Sequence, residues 1–536
     1  MNSTLQNDVL NSDRFVITVE LVPGSTYMGA KVDTVLKIAA DALADGRVSA
    51  VTITDNPGGN PSLSPDVIGR EILDLGMDVA VHFTSRDMNR GGIESRALQL
   101  ARLGMKNILA LTGDYSGQGF GGKSSPVFDI DSTILLCFLK TVGGQQLPGN
   151  MAPAVFFTGC AVSPFKATEA ETYLQYYKLC KKAAAGAGFI ITQVGFDARK
   201  FQELLLMQND LGIKLPTLGS IFYLTPRAAK AMYSGKVPGV VITHELYEKV
   251  VDEWQSKPRG HEASVNRCAK LASVLRGLGY RGIHIGGVHR DFATAQEILD
   301  RMEQIQDNWR DFLPEFDYPQ KNGFYVYRRE TAEVVSSAPH LNELSEQAAL
   351  KEHLHYAFLK KTHDLFFSSD SRFSSSLKKL SRTLDTPSRE SILLKCLEDP
   401  GKKLLLGCLR CGDCGIQHLG YLCPESQCPK HIRNGQCGGS LQGMCEVHPD
   451  RQCVWVRAYK RLARQGRSSE LAREFVPPRM WELNDSSSWL NFQLDRDHQS
   501  VSCSIANYCG SQNRCVRQDE LTAKTASITL LNTRRP

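Results

Sequence analysis

A chain of 536 residues is too long for one ordinary hydrophobic core, so two or three domains are expected. Its 42% hydrophobic and 22% charged content suits a globular protein, and a net charge of +6 at this length gives no argument for a nucleic-acid partner. The opening residues, MNSTLQNDVLNSD, carry no basic and apolar targeting pattern, and no apolar run approaches the roughly 20 residues that span a bilayer, so a cytoplasmic protein without a membrane span is expected.

Short apolar runs punctuate the sequence as far as Gly287: RFVITVE to Glu20, AVTITD to Asp55, DVAVHFT to Thr84, NILALTGD to Asp114, PAVFFTG to Gly159, GFIITQ to Gln193, LPTLGSI to Ile221 and GIHIGG to Gly287. Stretches of helical composition precede all but the first, among them Val32–Ala44, Pro65–Leu75, Glu94–Leu103 and Thr168–Ala185. Apolar strands that alternate with helices pair in parallel, and eight such units predict an α/β fold, a closed (β/α)8 TIM barrel over residues 14–310. Chemistry in that fold sits at the carboxyl ends of the strands, which here carry Glu20, Thr54, His82, Asp114 and Gln193.

Beyond the barrel, residues 311–400 read as a partly helical connector. Its start, DFLPEFDYPQKNGFYVYRRE, suggests packed irregular chain, and FFSSDSRFSSSLKK breaks the helical composition further on. Residues 401–495 form a small cysteine-rich region, and residues 496–536, with Cys503, Cys509 and Cys515, show no strong periodicity. Of 16 cysteines, the isolated Cys137, Cys160, Cys180, Cys268 and Cys396 are expected to be thiols, since a reducing compartment disfavours disulfides. Cys408, Cys411 and Cys414 form C-x2-C-x2-C, followed by Cys423, Cys428, Cys437, Cys445 and Cys453. Three thiolates at that spacing can hold three corners of an iron–sulfur cubane that a more distant cysteine closes, whereas zinc more often takes paired C-x2-C elements. Metal binding by these eight residues is expected, with iron–sulfur ahead of zinc; the zinc alternative is a structural staple.

Each strand-end residue has its own reason and a blander alternative. A carboxyl such as Glu20 at an apolar barrel mouth is expected to lose hydration, which raises its pKa and suits general-acid work, though it could be a surface group. His82 could be structural, Asp114 a helix cap, and Lys182 a partner for a helix dipole. Gly113 would let a ligand approach the backbone closely.

Taken in order, EL-V-P at 20–23, VTITDNPGGNP at 51–61, HFTSRDMNR at 82–90, NILALTGD at 107–114, VFDIDS at 127–132 and GAGFIITQ at 186–193 resemble the methylenetetrahydrofolate reductase family. The resemblance covers roughly residues 14–307 and implies a flavin-containing barrel, FAD ahead of FMN, that reduces 5,10-methylenetetrahydrofolate to 5-methyltetrahydrofolate. It implies that Glu20 is the proton donor that helps open the folate ring to a 5-iminium cation, and that Asp114 stabilises that cation and tunes the flavin. Thr54, His82, Thr112, Gly113, Phe128, Asp129 and Lys182 match flavin contacts, and Gln193 matches the glutamine that bonds the pterin. The cysteine-rich region resembles the C-terminal domain fused to, or encoded beside, some of these reductases, whose acetogen-type counterpart is associated with iron–sulfur clusters.

Two departures stand out. Many members have Arg-Gly-Asp where this chain has Thr112-Gly113-Asp114, and TLGSIFYLTPRAAKAM after Pro216 lacks the glutamine and phenylalanine that several bacterial members use for substrate and NADH stacking. The electron donor is therefore open between NAD(P)H and a redox protein such as ferredoxin, with the chain a homo-oligomer or part of a redox complex. A folate-binding methyl-transfer subunit without flavin, and a non-catalytic scaffold for docking an electron-transfer partner, are the rival readings.

Overall fold

The computed structural model describes residues 3–143, 155–327, 346–368, 373–386 and 398–499, with scattered positions between 387 and 397. The tail cysteines Cys503, Cys509 and Cys515 lie outside the described residues. Eight parallel strands close a barrel: β1 (Val16–Leu21), β2 (Ala50–Ile53), β3 (Val79–Thr84), β4 (Asn107–Leu111), β5 (Phe157–Val162), β6 (Phe189–Thr192), β7 (Thr217–Phe222) and β8 (Gly282–Gly286). They follow one another around the barrel in chain order, and β8 returns to β1 with Ile285 opposite Val19. The expected (β/α)8 architecture is present.

Both faces of such strands are covered, so they read as continuous apolar runs rather than alternating ones. Their outer face packs on the surrounding helices, among them α2 (Ala30–Asp45), α3 (Pro65–Asp74), α4 (Arg90–Leu103), α5 (Ser132–Gly143), α6 (Glu169–Ala184), α7 (Ala198–Asp210), α10 (Lys257–Leu278) and α11 (Ala293–Ile305). Inside, Val16, Ala50, Ala80, Leu109, Phe157, Phe189, Ile191 and Leu218 form a second apolar cluster. Leu5 and Val9 of α1 (Thr4–Leu10) join that cluster and plug the barrel floor. Two short helices that composition alone does not announce, α8 (Pro226–Tyr233) and α9 (His244–Glu253), precede α10.

The fifth strand lies a few residues later than its apolar run suggests. Gly159, expected at a strand end, sits mid-strand because a Cβ there would lie 2.3 Å from the Phe189 ring. Phe157 and Phe189 stack at 4.9 Å across the floor, and the glycine makes room for that pair. Of the isolated cysteines, Cys160, Cys180 and Cys268 are buried thiols and Cys396 is an exposed one, but Cys137 is disulfide-bonded, which corrects the expectation of a thiol there.

After the barrel, Phe316, Tyr318, Phe324, Val326 and Tyr327 bury their rings and side chains against it, as expected of packed irregular chain. Helices α12 (Glu346–Phe366) and α13 (Ser374–Leu384) flank the serine-rich break. The cysteine-rich segment has little regular structure beyond α14 (Asp399–Leu406), α15 (Val454–Ala463) and α16 (Ser488–Gln493). It lies across α6, and Tyr459 stacks on Tyr173 at 6.1 Å while its hydroxyl donates to Glu169 at 2.7 Å. That cover explains why α6 is buried from Ala170 to Lys182 despite its polar composition. Among the described residues no helix is long and apolar enough to cross a membrane.

Candidate active site

The carboxyl ends of the strands surround an open cleft of about 320 Å³. Glu20, Thr54, His82, Thr112, Gly113, Asp114, Lys182 and Gln193 all line it. These residues are far apart in sequence and converge only because the parallel strands finish at one rim. Phe128 and Asp129 do not line the cleft. Phe128, buried and with φ +44, stacks on Tyr115 at 6.1 Å. Asp129 accepts from the Arg90 backbone N–H at 2.9 Å and from Trp481 Nε1 at 2.7 Å, so it ties the barrel to the C-terminal segment.

Glu20 faces His284, whose Nε2 lies 3.8 Å from its carboxylate while Nδ1 meets Thr18 Oγ1 at 2.9 Å. Burial pulls the Glu20 pKa upward, but the His284 contact and the nearby His82 and His289 hold it below the ordinary glutamate value. The expected rise is thus corrected: the apolar mouth contains a histidine that stabilises the carboxylate. His284 is a site residue that the strand-end pattern misses, although a polar residue inside the apolar run GIHIGG is a visible signal.

His82 is pushed down to about 4, by burial first and His284 also, and is neutral. Its Nε2 and the Thr54 hydroxyl are buried with no hydrogen-bond partner among the described residues. Unpaired buried polar atoms cost about 1–3 kcal/mol each, so two of them aimed at a cleft suit a polar ligand. Asp114 accepts the Gly58 N–H at 3.0 Å, and burial holds its pKa above the usual aspartate value. Gly113 has φ +91, and a Cβ there would lie 3.2 Å from both Thr84 and Arg86 side chains, so the turn presenting Asp114 requires glycine.

Lys178 and Lys182 add buried ammonium groups that donate to the carbonyls of Gly435, at 3.1 Å, and Ala161, at 2.7 Å. Burial lowers the pKa of both, for Lys182 to about 8. Two cations beside a cleft suit an anionic ligand group. Gln193 donates to the Pro238 carbonyl at 3.3 Å and accepts from Val194 N–H at 2.8 Å, which fixes its amide at the rim.

The C-terminal segment supplies Lys430, Gln436, Cys437, Gly438, Gly439 and Glu446 to the same cleft. The sequence gives no sign of this, because nothing in a cysteine-rich stretch marks which side chains reach a neighbouring barrel. The eight clustered cysteines fall into two groups. Cys408, Cys411, Cys414 and Cys423 line one small cavity. In the other group, burial raises Cys428 to about 12, with Cys437 and Cys445 adding to the rise, and Cys453 is raised with Cys437 and Cys428 contributing. Among the described residues no three histidine, cysteine, aspartate or glutamate side chains are placed to hold a metal ion.

Comparison with known proteins fits this geometry. Residues 5–303 match the family described as methylenetetrahydrofolate reductase. The chain belongs to the methylenetetrahydrofolate reductase family. Residues 388–482 match a second description, methylene-tetrahydrofolate reductase C terminal. A probable methylenetetrahydrofolate reductase (NADPH) from Caenorhabditis elegans is 28% identical over 191 residues, covering 34% of this chain and 26% of that protein. Methylenetetrahydrofolate reductase 1 from Schizosaccharomyces pombe is 24% identical over 278 residues, covering 49% and 42%. The matches to these relatives span less than half of their length. Among solved structures, an uncharacterized protein from Clostridium thermocellum, described as binding two copies of 5-methyl-5,6,7,8-tetrahydrofolic acid, is 12% identical with a TM-score of 0.40, covering 57% of this chain and 100% of that one.

Proposed function

We propose that the chain reduces 5,10-methylenetetrahydrofolate to 5-methyltetrahydrofolate with a noncovalent flavin bound at the barrel mouth. The observation that carries this reading is the convergence of the Glu20–His284 pair, Asp114 and the unpaired His82 Nε2 and Thr54 Oγ1 on one cleft. Thr54, His82, Thr112, Gly113 and Lys182 would hold the flavin, whose chemistry when bound is hydride donation to the folate methylene.

The remaining work falls to the side chains. Glu20 donates the proton that assists opening of the folate ring, with His284 beside its carboxylate and Thr18 fixing the imidazole by its other nitrogen. The Asp114 carboxylate faces the cationic iminium and favours its formation. Gln193, with its amide fixed by Pro238 and Val194, orients the pterin.

Electrons would come through the cysteine-rich segment. The reading is supported by the grouping of eight cysteines in fours and by Cys437 lying in the cleft wall, so that one group borders the flavin site. Protein purified without oxygen should be yellow-brown, contain flavin, iron and acid-labile sulfide, and oxidise its reduced flavin on addition of 5,10-methylenetetrahydrofolate. Failure of that oxidation would end the reductase reading. Colourless protein that binds folate would point to methyl transfer, and zinc without iron would leave the segment a structural staple.

A further inference from the structure

The cysteine-rich segment places a charged pair inside the barrel mouth. Lys430 and Glu446 are an ion pair with side chains 4% and 7% exposed, and both line the cleft. Lys430 Nζ donates to the Gly113 carbonyl at 2.9 Å and lies 5.8 Å from the centre of the Phe128 ring. Its reach is fixed from both sides of the chain. Asn434 N–H donates to Asp131 at 3.0 Å, Lys166 Nζ donates to the Gly438 and Ser440 carbonyls at 2.6 Å each, and Ser440 Oγ donates to Glu171 at 2.7 Å. A long flexible side chain seldom gives up its solvent and its rotamers without return. Here six barrel and segment residues hold the chain that delivers one ammonium to the turn carrying Asp114.

We propose that Lys430 is a positioning residue of this active site: it holds the Thr112-Gly113-Asp114 turn by the Gly113 carbonyl and sets a positive charge beside that turn, while Glu446, its ion-pair partner, opposes that charge. The inference rests on the reductase reading and adds to it a residue from outside the barrel. Burial presses Asp114 towards its neutral form and Lys430 opposes this; Glu446 acts with burial, and the Gly58 N–H and Arg86 act with Lys430. A neutral Asp114 could not favour a cationic folate intermediate, so the segment governs a charge on which the barrel's chemistry depends.

The test compares Lys430→Met and Glu446→Gln with the wild-type full-length protein, measuring flavin content and the pH dependence of folate reduction from the pre-reduced enzyme. Lys430→Met should retain flavin while the acid limb of the profile moves up by about one pH unit, and the rate on that limb falls about 10-fold. Glu446→Gln should move the limb in the opposite direction. Profiles that superimpose on wild type with flavin retained would overturn the proposal, as would a shift of both variants in the same direction. Should Lys430→Met fail to fold, Glu446→Gln decides alone: a downward shift supports the assignment and an unmoved limb defeats it. Wild-type enzyme that never reduces folate would instead refute the reductase reading itself.

Discussion

At the barrel mouth Glu20, His82 and His284 are carried by strands that are paired on both sides and largely buried. In the cysteine-rich segment, short turns carry the chain and buried charges hold it. Arg433 donates to Asp413 at 2.9 Å and to Glu425 at 2.8 Å; the side chains of all three are nearly inaccessible, and Asp413 also pairs with His498. Several non-glycine residues there, including Arg410, Tyr421, His431 and Gln442, have positive φ. The barrel tolerates polar side chains at its rim because apolar layers below supply its stability. The segment shares the barrel's apolar cluster through Leu422, Trp455 and Val456, and away from that contact its turns rest on ionic contacts.

The sharpest way to break the barrel half of that comparison is Glu20→Gln, which keeps shape and removes the transferable proton. Folate reduction should slow by about 10²–10⁴-fold, while reduction of the flavin by the electron donor is unchanged. Stopped-flow measurement of the two half-reactions decides it, and a folate step within a few-fold of wild type would deny Glu20 its role.

In the segment, Arg433→Met leaves Asp413 and Glu425 buried without their shared cation. A loss of about 3–5 kcal/mol is expected. In thermal denaturation it should appear as early melting of the segment before the barrel. A single transition shifted as a whole would show that the two halves melt together.

The lysines on α6 sharpen the comparison through pH. Burial depresses Lys181 and Lys182 to about 8 from 10.5. The folded protein then binds fewer protons than the unfolded chain between those values, so stability should rise as pH increases through 8 towards 10, by something on the order of 1–3 kcal/mol. The penalty is fully present below pH 8. Flavin-free protein should show this rise in melting temperature, and a bound anionic group should flatten it; a flat curve without flavin would mean that the lysines are already compensated. The smallest effect should be Trp481→Phe, which removes only the Nε1–H bond to Asp129, worth about 1 kcal/mol. Calorimetry at one pH measures it.

What sequence makes legible follows the same division. The strand runs ending at Glu20, Thr54, His82, Asp114 and Gln193 follow from apolar spacing, and parallel closure then forces those residues to one rim. His284 is marked by its strand too, as the polar side chain within the otherwise apolar β8. Lys430 and Glu446 are hidden for a different reason: a loop that crosses another unit is positioned by long-range contacts such as Lys166 with the Gly438 carbonyl, which leave no periodic trace. Phe128 and Asp129 show the converse. Their segment matches the family pattern, yet in this chain Asp129 spends its carboxylate on Arg90 and Trp481.

Leu5 and Val9 of α1 stopper the barrel at the end opposite the cleft. Among the described residues that end is closed, and the C-terminal segment forms part of the frame of the open one. Under the proposed reaction, reductant, folate and product would share that open end. A bulky donor and the pterin would have to take turns there, whereas electrons arriving through the frame would need no turn at all.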